Sequence, residues 1–362
     1  MTALKNRIQR LIAASGPISV ADCMALCLGD PEHGYYMSRE PFGTRGDFTT
    51  APEISQMFGE LVGAWLAGTW EALGRPEKPV VAEIGPGRGT LMQDVLRTVN
   101  KIKPELCDSG SFVMIETSPR LVQAQKSTLL AYADRITWIG SVDDLPHSPL
   151  LIIGNELFDA VPTRQYVKTS EGWRERMVGL DEDGNLSFQA GTGSLDPALL
   201  PPGSSEASGG AVFEVAPARE SLMQTIAEHI GRHGGAGLFL DYGHTQSGLG
   251  DTLQALRNHS YDNPLAHPGE ADLTTHVDFS ALAEVARRAG LAAFTALQGD
   301  FLISMGLLER AGQLGADASE DLRNRLRGEV ERLAGPDQMG TLFKVLALGP
   351  RGTIPLGFTL AH

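Results

Sequence analysis

The sequence predicts an α/β fold built on an open, mostly parallel sheet, and three observations predict it. The apolar run at 80 to 84, in VVAEIGPGRGTL, passes through three closely spaced glycines, Gly85, Gly87 and Gly89, into a helical pattern. That strand–turn–helix holds a ligand against bare backbone at the carboxyl edge of such a sheet. A second apolar run, SFVMIETSPRL, ends in Glu116, 27 residues beyond Gly89, which is the length of one strand–helix–strand unit. Two further runs, RITWIGSVDDL and PLLIIGNELFDAVP, follow; in parallel order they bring Ser141, Val142, Asn155, Glu156 and Asp159 to one edge.

The elements follow in order. MTALKNRIQRLIAASG is an amphipathic helix, and a helical part extends to residue 78, so 1–78 is read as a helical N-terminal and lid region. Within it, Thr50 followed by Glu53 three residues later is the pattern of a capping box ahead of an apolar helix. The core is placed at 79–245. It carries a β-hairpin insertion at about 163–215, where YVKTSEGWRERMVGLDEDGNLSFQ alternates and Asp183 and Gly184 supply the turn. FEVAPARESLMQTIAEHIGRHGG reads as a helix and AGLFLDYGH as the fifth parallel strand. Residues 246–338 read as a helical insertion, and LFKVLALG, within 339–362, as an edge strand rejoining a seven-stranded sheet.

Glu83 selects among the ligands this loop can hold. A dinucleotide needs helix N-terminal N–H groups for its pyrophosphate, and an acid packed against the loop repels that anion. A cofactor with a cationic end, the ammonium and sulfonium of S-adenosylmethionine, suits the acid. Glu116 accepts both ribose hydroxyls in either case. The cofactor-binding set is therefore Thr50, Glu83, Gly85, Pro86, Gly87, Gly89, Glu116, Ser141 and Val142.

ExGxGxG at 83–89 looks like the first motif of Rossmann-like methyltransferases. The blocks PEHGYY at 31–36, GDFTTAPEISQMFGELVGAW at 46–65, EIGPGRGTLMQDVLR at 83–97, NELFDAVP at 155–162, LDYGH at 240–244, ADLTTHVDF at 271–279 and MGTLFKVL at 339–346 together resemble the MidA family of methyltransferases, which includes the mitochondrial complex I assembly factor that methylates an arginine. The resemblance implies a class I adenosylmethionine fold with the insertion capping the substrate side. It also implies a protein arginine acceptor in a complex I subunit. A small-molecule methyltransferase and a noncatalytic assembly factor are the rival readings. A guanidinium acceptor calls for carboxylates that clamp it, align one nitrogen and collect a proton. Glu156 and Asp159, on one face if the turn after the strand is helical, and Asn155 are the catalytic expectation. Asp47, Glu53, Asp241, Tyr242, His276 and Asp278 are expected on the substrate side.

Composition narrows the partners. A net charge of −14 disfavours nucleic acid, which requires a cationic surface, and suits a basic protein segment. No apolar run reaches the 18 residues of a membrane span. The N-terminal helix runs directly into a folded pattern, so the expectation is a bacterial cytoplasmic protein. Cys23, Cys27 and Cys107 read as buried thiols. No spacing matches a zinc site; Ile230 stands between His229 and His233 where a zinc protease has Glu, and no metal is expected.

Overall fold

The computed structural model describes residues 2–38 and 50–359. The chain divides into two compact units, one formed by residues 1–48, 158–221 and 246–276, the other by 49–157, 222–245 and 277–362.

The second unit holds the main sheet. Its strands are β1 (Val80–Ile84), β2 (Ser111–Ile115), β3 (Ile136–Ile139), β4 (Leu150–Asn155), β5 (Gly235–His244), β6 (Ala292–Leu297) and β7 (Phe343–Gly349), in the spatial order β6-β7-β5-β4-β1-β2-β3. β1 to β5 pair parallel, and β7 runs antiparallel to both β5 and β6. β1 is buried at all five positions, Glu83 included, and its four apolar residues suit a strand covered on both faces. LFKVLALG is not the edge strand the sequence suggested: β6 lies outside it, and six of its seven residues are buried. The order of connection reverses between β1 and β4, which opens a crevice at their carboxyl ends.

Helices α1 (Gln56–Ala72) and α2 (Thr90–Ile102) pack closely. A Cβ on Gly59 would stand 2.5 Å from Asp94 Cβ, and one on Gly63 3.1 Å from Thr98 Cβ, so the two glycines set the approach. Glu60 ties this pair to a later helix: its Oε1 accepts from Arg97 at 2.9 Å and its Oε2 from Arg310 at 2.7 Å. The guanidinium groups draw the Glu60 pKa below the ordinary carboxyl value although burial opposes them.

The first unit is built differently from the helical lid and single hairpin that the sequence suggested. The helix Ala3–Ser15 buries Leu4, Ile8 and Ile12 on one stripe, with Thr2 capping it. Val20–Gly29 starts at a capping box of Ser19 and Asp22 and buries Cys23 and Cys27, which are free thiols like the buried Cys107. The alternating region supplies the strands Arg164–Thr169, Gly172–Leu180, Leu186–Ser194 and Val212–Val215, which with Ile18–Ser19 make a five-stranded antiparallel sheet. Asp183 and Gly184 do lie in the turn between the second and third of these, with Gly184 at φ +79°. The FEV of the expected helix belongs to a strand, and the helix begins at Pro217. Residues 254–274 hold three short paired strands rather than helices; the helices of the expected insertion begin at Phe279, in the second unit.

Candidate active site

Each site element sits at the carboxyl end of a strand. Glu83, the fourth residue of β1, is 2% exposed. Its carboxylate accepts the backbone N–H of Met92 in the first turn of α2. The residue at that helix's N-cap is Gly89, at φ +84° and with no side chain to offer. Glu83 thus satisfies a helix-terminal donor from within the sheet, in the place where a dinucleotide fold would receive phosphate. Its Oε2 is buried with no hydrogen-bond partner among the described residues. Burial pushes the Glu83 pKa well above the usual carboxylate range; the Met92 N–H opposes this and the Glu116 charge adds to it.

The glycine turn is backbone-specified. Gly85, Gly87 and Gly89 have φ of +66°, +52° and +84°, the left-handed region that L side chains resist. A Cβ on Gly85 would stand 3.0 Å from Leu157 Cδ1. The Gly89 N–H closes the turn onto the Pro86 carbonyl at 2.8 Å.

Beside this turn lies a cavity of about 290 Å³ lined by Ile84, Gly85, Ile115, Glu116, Thr117, Gly140, Ser141, Val142, Asp143, Leu157, Leu222 and Thr225. Of the expected cofactor set it includes Gly85, Glu116, Ser141 and Val142; Thr50, Glu83, Pro86, Gly87 and Gly89 are not in its wall. Asp143 stood in plain view in SVDD, whereas Leu222 and Thr225 arrive from a helix far along the chain and carry no local signal. Glu116 accepts from the Ser118 N–H at 2.8 Å and from Gln125 Nε2 at 3.1 Å, and burial raises its pKa against those bonds. A larger groove of about 460 Å³ runs between the helices Leu307–Gly315 and Glu320–Ala334. It has no strand-end residue in its wall, whereas the smaller cavity is lined by Ile84, Ile115 and Glu116 at the ends of β1 and β2.

Asn155 ends β4, 8% exposed. Its Nδ2 donates to Glu156 Oε1 at 3.0 Å, and its Oδ1 is buried with no hydrogen-bond partner among the described residues. Glu156 Oε1 also accepts the Ala51 N–H at 3.3 Å. The turn after β4 is not helical, contrary to the expectation that would have aligned Glu156 with Asp159: Glu156 adopts φ +51°, a left-handed conformation that ends the strand and cannot begin a helix. Glu156 falls in the second unit and Asp159 in the first. Asp159 is 6% exposed and accepts the Ala160 N–H at 2.8 Å.

The remaining expected positions separate by what they hold. Asp47 lies outside the described residues. Thr50 precedes the short helix Ala51–Ile54 but makes no side-chain cap, and the capping box does not form. Glu53 instead accepts from the Thr90 hydroxyl at 2.7 Å, at the start of α2, which sets the segment 51–54 against the glycine turn. Asp241 is wholly buried within β5, one residue past its pairing with β4, and accepts the Tyr242 N–H; the Tyr242 ring meets Phe343 edge-on at 5.5 Å. Asp278 caps the helix Phe279–Arg288, accepting the Ser280 and Ala281 N–H groups, each at 3.0 Å. In the first unit, His276 contributes its backbone, donating to Thr252 and accepting from Arg219. That unit also joins Tyr36 to Asp272, hydroxyl to carboxylate at 3.0 Å. Burial, then the charges of Asp272 and Asp159, raise the Tyr36 pKa well above its ordinary value.

Comparison with known proteins accords with this arrangement. Residues 61–297 match a family described as "Putative S-adenosyl-L-methionine-dependent methyltransferase". The chain is 36% identical to the mitochondrial protein arginine methyltransferase NDUFAF7 homolog of Drosophila melanogaster, over 96% of this chain and 85% of that one. It is 34% identical to the mitochondrial protein arginine methyltransferase NDUFAF7 of Danio rerio, over 95% and 86%. A crystal structure from Burkholderia thailandensis bound to S-adenosyl-homocysteine superposes with a TM-score of 0.86 at 28% identity, covering 98% of this chain and 94% of that one. The expectation of a bacterial cytoplasmic protein is overturned by the curated relatives, which are mitochondrial proteins of animals. With a class I sheet, a glycine turn closed at its switch point and an acid at each of the two adjoining strand ends, this chain belongs to the S-adenosyl-L-methionine-dependent methyltransferase family.

Proposed function

We propose that the acceptor is an arginine of a protein, in a subunit of respiratory complex I. Support for arginine comes from the relatives named as protein arginine methyltransferases at 34–36% identity over nearly the whole chain; support for complex I comes from the family resemblance of the seven sequence blocks. The single observation in the molecule that carries the methyl-transfer reading is the buried Glu83 Oε2, which has no hydrogen-bond partner among the described residues. An unpaired buried carboxylate oxygen is costly unless a cation completes it, and the residues therefore fit a cofactor with a cationic amino-acid end.

The cofactor supplies a methyl group made electrophilic by a sulfonium. Glu83 balances positive charge, Gly85, Pro86, Gly87 and Gly89 admit the ligand to bare backbone, and Glu116 accepts the ribose hydroxyls. Ser141 and Val142 lie on the adenine side, joined by Asp143. Thr50 holds the start of the segment that covers the turn. Asn155 and Glu156 offer an amide oxygen and a carboxylate at the end of β4, the two acceptor types that a guanidinium's N–H donors need. Glu156 aligns the acceptor nitrogen and collects its proton. Asp159 is a second candidate for that proton.

The test is methyl transfer from isotopically labelled cofactor to purified complex I subunits, read by peptide fragmentation. Label on arginine is the expected result. Label confined to lysine or glutamine, or found only on small-molecule acceptors, refutes the proposal.

A further inference from the structure

Gln125 belongs to none of the site residues expected from the sequence, yet it touches both elements that would hold the cofactor. It lies on helix α3 (Pro119–Thr128) and is 0% exposed. Its Nε2 donates to the Gly87 carbonyl at 2.8 Å and to Glu116 Oε2 at 3.1 Å. Its Oε1 accepts from Trp138 Nε1 at 2.9 Å. Indole nitrogen only donates, so the Trp138 contact fixes which end of the amide is oxygen and leaves both amide hydrogens for the loop carbonyl and the carboxylate. Glu116 Oε1 is held separately by the Ser118 N–H. The carboxylate is thereby restrained at each oxygen while Glu116 still lines the cavity.

We infer that Gln125 is a positioning residue for ribose recognition: oriented by Trp138, it locks the glycine turn and the Glu116 carboxylate in one geometry, and so sets how strongly the site prefers a cofactor bearing both ribose hydroxyls. The inference rests on the reading that Glu116 takes the ribose diol. A carboxylate held before the ligand arrives gives up less freedom on binding, so the amide acts on affinity through Glu116 without touching the ligand.

The experiment compares S-adenosylhomocysteine with its 2′-deoxy analogue on the full chain by calorimetry. The wild type should prefer the diol by about tenfold or more, the usual effect of one charge-assisted hydrogen bond. Gln125→Met, close in volume, should lose most of that preference, weakening the diol ligand by about tenfold and the deoxy analogue by less than about threefold. A uniform weakening of both ligands overturns the inference and makes Gln125 a support for the turn alone. Absence of preference in the wild type overturns the Glu116 reading as well, and so separates the two failures. Trp138→Phe removes only the donor that orients the amide; it should shift the preference in the same direction, and it carries the comparison if Gln125→Met does not fold.

Discussion

Replacing Glu83 by Gln should make the empty protein more stable at neutral pH and its cofactor affinity worse. The side chain is 2% exposed, with one oxygen on the Met92 N–H and Oε2 without a partner among the described residues. Gln keeps the acceptor for Met92 and removes the buried charge. One uncompensated buried polar atom costs about 1–3 kcal/mol, part of which the unpaired amide would retain, so a gain of about 1 kcal/mol and a rise in melting temperature of about 1–2 °C are expected. The pH dependence has a definite sign. Because burial raises the folded-state pKa of Glu83 above the ordinary 4.5 of a glutamate, its contribution to stability is fully present below about that value and is lost as pH rises through the folded pKa. The advantage of the Gln variant should accordingly grow from pH 4 to pH 8. Affinity moves the other way: losing a charge-assisted contact to the ammonium end weakens binding by about 10- to 100-fold. Thermal unfolding without ligand and calorimetry with S-adenosylhomocysteine measure the two effects on one sample. A variant that binds like wild type, or that is destabilised at pH 7, refutes the reasoning and leaves Glu83 as a helix cap alone.

Gly87→Val places a β-branched residue at φ +52°; it should destabilise by about 1–3 kcal/mol and abolish cofactor binding in calorimetry. Glu156→Gln should keep S-adenosylhomocysteine affinity within a few-fold and reduce methyl transfer by about two orders of magnitude, measured as initial rates. Asp159→Asn should do the same only if Asp159 is the proton acceptor, so the pair of rates assigns the role. Arg219→Met should lower the urea midpoint by the equivalent of about 3–4 kcal/mol, since Arg219 is 3% exposed and bonds the carbonyls of Val161, His276, Asp159 and Thr275.

What was legible in the sequence is what is local. An apolar strand carrying one acid, followed by three glycines, specifies β1, its turn and the start of α2 within about a dozen residues, and the next apolar runs are strands as well. What was not legible depended on distant pairing. LFKVLALG reads as a strand in any position, and only the pairing of β6 outside it shows that it is internal; its near-continuous apolar run was the available clue. The alternation at 166–190 announced a hairpin, but its pairing with Val212–Val215 and Ile18–Ser19 has no signature in either short partner. Asp278 looked like a site acid and proved to be a helix cap, a role for which Ser280 two residues on was the hint. Gln125 reads as an ordinary polar helix residue, because nothing near it in sequence announces that Trp138 and Gly87 converge on it.

Glu156 offers a way to separate strain from chemistry. A non-glycine residue at φ +51° costs roughly 1–2 kcal/mol, and such conformations persist where the surroundings over-determine them. Here the Glu156 N–H bonds the Leu240 carbonyl at 2.9 Å, while Oε1 receives the Ala51 N–H and Asn155 Nδ2. Glu156→Ala loses the two side-chain bonds and keeps the strain; Glu156→Gly loses the same bonds and relieves it. Both should lose methyl transfer to the same extent, yet the Gly variant should be the more stable by about 1 kcal/mol. If strain serves only to aim the carboxylate, restoring a carboxylate cannot be replaced by relaxing the backbone, and free formate should recover some turnover in either variant. Equal stability of the two variants would mean that the left-handed turn is unstrained in its setting; full activity in the Gly variant would show that the backbone at 156, and not the carboxylate, is what the reaction uses.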